Sequence, residues 1–211
     1  MSKVPVIYEY GDPASARVLI QPVDDHDLAG IETEARTIAE LAGGDFRLIA
    51  VKIEDWNRDL SPWEAPPVFG KEAFDGGAAE TLAEFLKLCD DKGKRWYIGG
   101  YSLAGLFALW AVCQTDVFAG VAAASPSVWF PGFADYMKER GVQCGRVYLS
   151  LGDREERTRN PVMAAVGDRI RELHAFLSAR GTDCVLKWNP GNHFRDADLR
   201  TARAFAWLLN R

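Results

Sequence analysis

Among the residues able to do chemistry, one serine stands in an unusual frame. Gly100-Tyr101-Ser102-Leu103-Ala104-Gly105 joins an apolar, strand-like run (Arg95 to Gly99) to an almost wholly apolar, helix-like run (Leu103 to Gln114). A serine on such a strand-to-helix turn is a nucleophile elbow: the backbone is strained, and the residues two places before and after must be small or the chain collides with itself. Gly100 and Ala104 are small enough. The usual pattern is G-x-S-x-G, and here Ala104 takes the fifth position while the glycine moves to 105. Taken alone, the same residues also describe a glycine-rich turn opening a buried helix.

A serine hydroxyl attacks an acyl carbon only when a base removes its proton, and the base needs a carboxylate to fix its tautomer and stabilise the imidazolium. Only His174 and His193 lie downstream of Ser102. His174 sits within the helical pattern Arg169 to Leu177, whereas His193 lies in Asn189-Pro190-Gly191-Asn192-His193-Phe194, a loop between a strand-like run and the last helix. His193 is therefore the candidate base. Gly152-Asp153-Arg154-Glu155-Glu156-Arg157 follows another strand-like run and offers three carboxylates, of which Asp153 and Glu155 compete as the acid and Glu156 reads as part of a solvated charge run. For the oxyanion, the N–H of Leu103 is one expected donor. The second is expected from Gln21-Pro22-Val23-Asp24-Asp25-His26-Asp27; Pro22 has no N–H, which leaves Val23 or Asp24. The same run reads poorly as a metal cluster, because consecutive residues point in different directions and no second ligand set stands nearby.

Strand-like and helix-like runs alternate along the chain without repeats or a Ser/Gly linker, which predicts a mostly parallel central sheet with helices on both faces and a single domain over residues 1–211. Expected strands are Val4 to Tyr10, Arg17 to Pro22, Phe46 to Ile53, Arg95 to Gly99, Phe118 to Ala124, Arg146 to Leu151 and Cys184 to Trp188. Expected helices are Leu28 to Leu41, Ala78 to Asp91, Leu103 to Gln114, Pro131 to Arg140, Val162 to Arg180 and a last helix to Leu209 capped by Asp196. Asp55 to Gly77, with Trp56, Trp63, Phe69, Phe74 and three prolines, reads as a long irregular segment. Ser125 and Ser127 follow a strand but lack an elbow frame, and read as turn residues beside the site.

Twenty-five basic and 30 acidic residues give a net charge of -5, with no basic cluster of the kind nucleic acid requires. The sequence has no apolar run of the ~18 residues a membrane span needs, and Met1 to Val6 has no signal-peptide pattern; nucleic acid and membrane are not expected partners, and a cytoplasmic location is. Four widely spaced cysteines form no C-x-x-C pair and read as reduced packing residues.

With elbow, acid loop and histidine loop in that chain order, the sequence resembles the α/β-hydrolase superfamily, in particular the esterase group that includes esterase D and the enterobactin (siderophore) esterases. The resemblance runs over nearly the whole chain. Its group-specific marks are Asn57-Arg58-Asp59-Leu60-Ser61-Pro62, the elbow itself, Ala124-Ser125-Pro126-Ser127-Val128-Trp129 and Gly152-Asp153-Arg154-Glu155. It implies an α/β-hydrolase fold with little or no lid domain, given so short a chain. It also implies Ser102 as nucleophile, His193 as general base and then acid, and Glu155, three residues after the strand-ending glycine, as the carboxylate, with Asp153 as runner-up. The implied activity is cleavage of a small or soluble carboxylic ester through an acyl-serine intermediate, without metal or organic cofactor. A thioesterase or acyltransferase using the same triad, and a catalytically silent binding module, are the alternatives. Trp56, Trp63, Tyr101 and Trp129, with Phe69, are the aromatics expected to line the substrate pocket.

Overall fold

The computed structural model describes residues 5–210. In chain order its elements are β1 (Ile7–Gly11), β2 (Arg17–Val23), α1 (Asp25–Ala42), β3 (Arg47–Lys52), α2 (Trp56–Asp59), β4 (Glu64–Ala65), β5 (Phe74–Asp75), α3 (Ala78–Leu88) and β6 (Arg95–Tyr101). There follow α4 (Leu103–Gln114), β7 (Phe118–Ala124), α5 (Phe133–Arg140), β8 (Arg146–Gly152), a 3-10 turn (Glu155–Arg157), α6 (Pro161–Ala164), α7 (Val166–Ala179), β9 (Asp183–Asn189) and α8 (Ala197–Leu209). Seven strands form one sheet in the order β1-β3-β2-β6-β7-β8-β9, antiparallel only at β1–β3, and β4 and β5 make a separate short ribbon.

Side-chain alternation sorts the strands onto two cores. Val18, Ile20, Ile49, Val51, Trp96 and Ile98 face a core closed by Leu82 and Phe85 of α3, by α4, by Met137 of α5 and by Ile170, Leu173 and Leu177 of α7. Their neighbours Leu19, Leu48, Ala50 and Tyr97 face the opposite core, closed by Ile31, Ala35 and Ile38 of α1 and by Phe205, Leu208 and Leu209 of α8. The helix α4 is buried from Leu103 through Cys113. That explains a helical segment with no polar stripe.

Several boundaries differ from the sequence expectation for identifiable reasons. Val4 lies outside the described residues, and β1 begins at Ile7. The first long helix starts at Asp25 rather than Leu28, because Asp24 and Asp27 form a reciprocal capping box: Asp27 N donates to Asp24 Oδ1 at 2.8 Å and Asp24 N to Asp27 Oδ2 at 3.3 Å. Asp196 sits at the N-cap of α8 but does not cap it; its backbone is left-handed (φ 54°), and its carboxylate accepts from Arg195 Nε instead. The expected helix over 162–180 divides into α6 and α7 at Ala165. The segment 55–77 is not wholly irregular, since it holds α2 and the β4–β5 ribbon, with Gly76 N donating to Ser61 Oγ at 2.9 Å.

Because β2, β6, β7, β8 and β9 are parallel, their carboxyl ends gather along one edge of the sheet. In open α/β sheets that edge is where ligands bind. The turns leaving these strands carry Asp24, Ser102, Ser125, Glu155 and His193. Among the described residues no helix is long and apolar enough to cross a membrane.

Candidate active site

Ser102 stands between β6 and α4 with φ 56° and ψ -119°. This backbone state is costly for a residue with a Cβ and is held only because both flanks are locked. Ser102 N donates to Ala124 O (3.1 Å), Ser102 O accepts from Ser127 N (3.0 Å) and from Leu106 N (3.0 Å), and the hydroxyl is left at the mouth of the sheet. The turn is tight enough to explain the small residues around it. A Cβ on Gly100 would lie 2.6 Å from the Cβ of Ala104, and one on Gly105 would meet the Gly100 carbonyl and Pro126 at 3.1 Å. Ala104 is therefore tolerated where a glycine is usual because residue 100 has no side chain to meet it.

His193 lies in the β9–α8 loop, and its Nε2 is 3.0 Å from Ser102 Oγ. Its Nδ1 is 2.7 Å from Glu155 Oε2. Since a carboxylate only accepts, Nδ1 carries the proton and Nε2 is the free lone pair facing the serine hydroxyl. Asp153, the competing acid, is exposed and accepts from Gly191 N at 2.8 Å; it braces the histidine loop rather than the imidazole. His174 lies on α7, half-buried.

Glu155 is buried, its side chain only 4% exposed. Its Oε1 accepts from Ser125 Oγ (2.7 Å), Gly152 N (2.7 Å) and Arg200 Nη1 (3.0 Å). Burial raises its pKa, but the hydrogen bond and charge of His193, with the bonds from Ser125 and Gly152, outweigh burial and hold the carboxyl below its ordinary 4.5. The spacing from Gly152 to Glu155 has a steric cause too: a Cβ at 152 would fall 2.4 Å from the Gly191 carbonyl and 2.9 Å from Glu155 Oε1. The glycine is what lets the acid loop and the histidine loop close on each other.

Sequence reasoning did not find Arg200. This arginine of α8 is 1% exposed, and Nη1 lies 3.0 Å from Tyr101 Oη and 3.2 Å from Ser125 Oγ as well as against Glu155. Its Nη2 donates to the carbonyls of Pro190 and Asn192, both at 3.1 Å. One guanidinium thus ties together the turn after β7, the acid, and the loop carrying His193. Tyr101 completes the frame by donating its hydroxyl to the His193 carbonyl at 2.8 Å; burial and the Glu155 charge push its pKa up to about 12, so it remains a donor. Ser125 and Ser127 adjoin the site as expected, and both reach it directly, Ser127 Oγ lying 3.3 Å from Ser102 Oγ.

A cavity of about 200 Å³ opens over the serine, bordered by Asp24, Trp56, Tyr101, Ser102, His193 and Phe194. Of the expected pocket aromatics, Trp56 and Tyr101 line it, and Trp129 lines a second cavity on the far side of His193. Trp63 does neither: its Nε1 donates to the Pro131 carbonyl and its ring packs on Phe130 and Tyr136. Phe69 packs edge-on against Phe74 and Trp129. Leu103, first residue of α4, has its N–H free of any hydrogen bond among the described residues. The N–H of Asp24 is engaged by Asp27, as the capping box requires; Val23 ends β2 opposite Lys52. Asp24, Asp25, His26 and Asp27 begin a helix; among the described residues no group of three or more His, Cys, Asp or Glu side chains is arranged to hold a metal ion.

Parallel strands with helices on both faces, and a serine on the sharp turn between a strand and a helix, define the α/β-hydrolase fold. No protein-family model matches the sequence. Among curated proteins the chain is similar to the uncharacterized protein YbbA of Bacillus subtilis (strain 168), at 23% identity over 151 residues, 64% of this chain; the match spans 60% of the length of that relative. Among solved structures it is similar to an IroE-like serine hydrolase from Shewanella oneidensis (TM-score 0.74, 15% identity, 97% of this chain and 75% of that one). It is also similar to the siderophore hydrolase EstB from Aspergillus nidulans (TM-score 0.65, 19% identity, 91% and 81%) and to the Bacillus cereus carboxylesterase (TM-score 0.60, 14% identity, 99% and 96%).

Two outcomes follow from this geometry. Gly100→Ala should lower stability and activity more in the parent chain than in an Ala104→Gly background, because the second change removes the atom the new methyl strikes; a double-mutant cycle by urea unfolding measures the coupling, and additivity of the two changes would contradict the contact. Arg200→Met should cost about 3 kcal/mol at pH 7, since it leaves Glu155 buried with one charged partner fewer. Glu155 is held below its ordinary 4.5, so its ionised form stabilises the parent above that pH and the contribution fades as pH falls through the lowered value. The Arg200 guanidinium lies 3.0 Å from the carboxylate and favours its ionised form, so the deficit of Arg200→Met should shrink as pH falls and Glu155 is protonated, as read by unfolding curves across pH; a deficit independent of pH would contradict the pairing.

Proposed function

We propose that this protein is a serine hydrolase that cleaves a carboxylic ester of a small or water-soluble substrate through an acyl-serine intermediate. The observation that carries the reading is the continuous chain from Ser102 Oγ to His193 Nε2 (3.0 Å) and from His193 Nδ1 to Glu155 Oε2 (2.7 Å), ending on a serine in a strained elbow. The fold it shares with structures described as serine hydrolases and esterases supports the same class.

In this reading Ser102 Oγ attacks the ester carbon while its proton passes to His193 Nε2, and the imidazolium so formed is stabilised by Glu155. The oxyanion of the tetrahedral intermediate is held by the Leu103 N–H at the head of α4; of the two expected second donors, Asp24 borders the cavity over Ser102 and its N–H reaches Asp27 only at 3.3 Å, whereas Val23 is buried in the β2–β3 ladder. His193 then gives its proton to the departing alcohol oxygen. Water, deprotonated by the same nitrogen, attacks the acyl-serine and releases the acid, returning the proton to Ser102. Trp56 and Tyr101 supply apolar walls, and a space of about 200 Å³ suits a compact acyl or alcohol group better than a long chain.

Ser102→Ala should reduce kcat/KM for p-nitrophenyl acetate by on the order of 10⁴-fold with the unfolding midpoint little changed. Hydrolysis at the parent rate by the folded variant would refute the assignment.

A further inference from the structure

The second cavity holds charges that ester cleavage does not use. It measures about 230 Å³ and lies on the side of His193 away from Trp56; Trp129, Met163 and Val166 give it apolar walls, and His193 and Glu155 connect it to the triad. Arg154 and Arg157 also line it. Both are exposed, and neither guanidinium has an ion pair or side-chain hydrogen bond among the described residues. Arg159, outside the lining, is likewise exposed, but other arginines nearby are engaged. Arg171 pairs with Glu156 and Asp168, Arg169 with Glu172, Arg195 with Asp196 and Arg200 with Glu155. The carboxylates nearest in sequence are already engaged: Glu156 by Arg171, Glu155 by Arg200 and His193, and Asp153 by the Gly191 N–H. Two uncompensated positive charges at an apolar cavity are conspicuous in a chain of net charge -5.

The opposite side of His193 has the reverse sign. Asp24, His26 and Asp27 border the cavity over Ser102, and Asp27 and Asp198 line a neighbouring space of about 320 Å³ with His26, with Asp196, which pairs with Arg195, and with Glu34, whose carboxyl is pushed well above 4.5 by burial so that it adds no charge. An anion is repelled there. The cleft is therefore polarised across the reacting serine, negative toward α1 and positive toward the turn after β8.

We propose that the preferred substrate is an ester bearing a carboxylate, whose short apolar arm lies against Trp129 and Met163 and whose charge is met by Arg154 and Arg157. The planar guanidinium forks match a carboxylate in two-point hydrogen bonds, and their position fixes which end of the ester enters which cavity. The inference rests on the ester-hydrolase reading, and it makes these arginines specificity residues rather than catalytic ones. Half-esters of short dicarboxylic acids carry the charge on the acyl side, and esters of short carboxylated alcohols or phenols carry it on the leaving side; the shared chemistry is one carboxylate a few carbons from the scissile bond.

The test uses two matched pairs of esters. On the acyl side, mono-p-nitrophenyl glutarate is compared with p-nitrophenyl hexanoate; on the leaving side, 4-acetoxyphenylacetate is compared with 4-ethylphenyl acetate. The quantity read is the ratio of kcat/KM for the charged ester to that for the neutral one. In Arg154→Gln/Arg157→Gln the ratio should fall on the order of tenfold for one pair, and raised salt should lower it in the parent as well. The pair that responds identifies the side of the ester carrying the charge. Ratios unchanged in both pairs would overturn the proposal, while leaving the serine-hydrolase reading intact if the neutral esters are cleaved. A parent protein that cleaves no ester of either pair would instead refute the hydrolase reading.

Discussion

A buried arginine facing a buried glutamate organises this site. Glu155 Oε1 and Arg200 Nη1 are 3.0 Å apart with both side chains almost fully removed from water. Such a pair is costly to bury and repays that cost only when every remaining donor and acceptor is matched. Here the match is nearly complete: Glu155 also takes Ser125, Gly152 and His193, and Arg200 also takes Tyr101, Ser125 and two carbonyls of the histidine loop. The consequence is geometric. Glu155, the His193 loop and the strand end next to Ser102 are held to one another by a group that touches neither Ser102 Oγ nor the His193 ring.

That frame explains why a strained elbow can persist. Ser102 is pinned on both sides by Ala124 and Ser127, and Gly100, Ala104 and Gly105 remove the side-chain volume that the turn cannot hold. Strain at Ser102 is stored locally and opposed by the burial of α4, whose residues from Leu103 to Cys113 are sealed between the sheet and its neighbours. The helix that presents the serine is thus also one of the most deeply anchored elements of the fold.

The alternation of apolar runs was enough to read the sheet and most of its helices, because strands buried on both faces and amphipathic helices leave distinct periods. Ser102 and His193 were legible from their loops and chain order, while the acid loop left Asp153 and Glu155 open and only the resemblance preferred Glu155. Arg200 was not: an arginine within an amphipathic helix reads as a solvated residue, and nothing local reveals that its partners lie 45 and 99 residues upstream. Trp63 misled for the converse reason, since aromatic composition does not say which rings pack and which face a cavity. Asp196 carries a good capping side chain, but its left-handed backbone turns that side chain away from the helix end. The polarity of the cleft was also hidden, because net charge averages over the very residues whose pairing decides the local field.

The central claim is that Ser102 is an activated nucleophile. Its most direct test is reaction of the purified, folded protein with a fluorophosphonate probe, followed by mass spectrometric mapping of the adduct. The account predicts stoichiometric labelling at Ser102, slowed sharply when His193 is replaced by alanine. Absence of labelling, or an adduct on Ser125 or Ser127 with Ser102 unmodified, would contradict it.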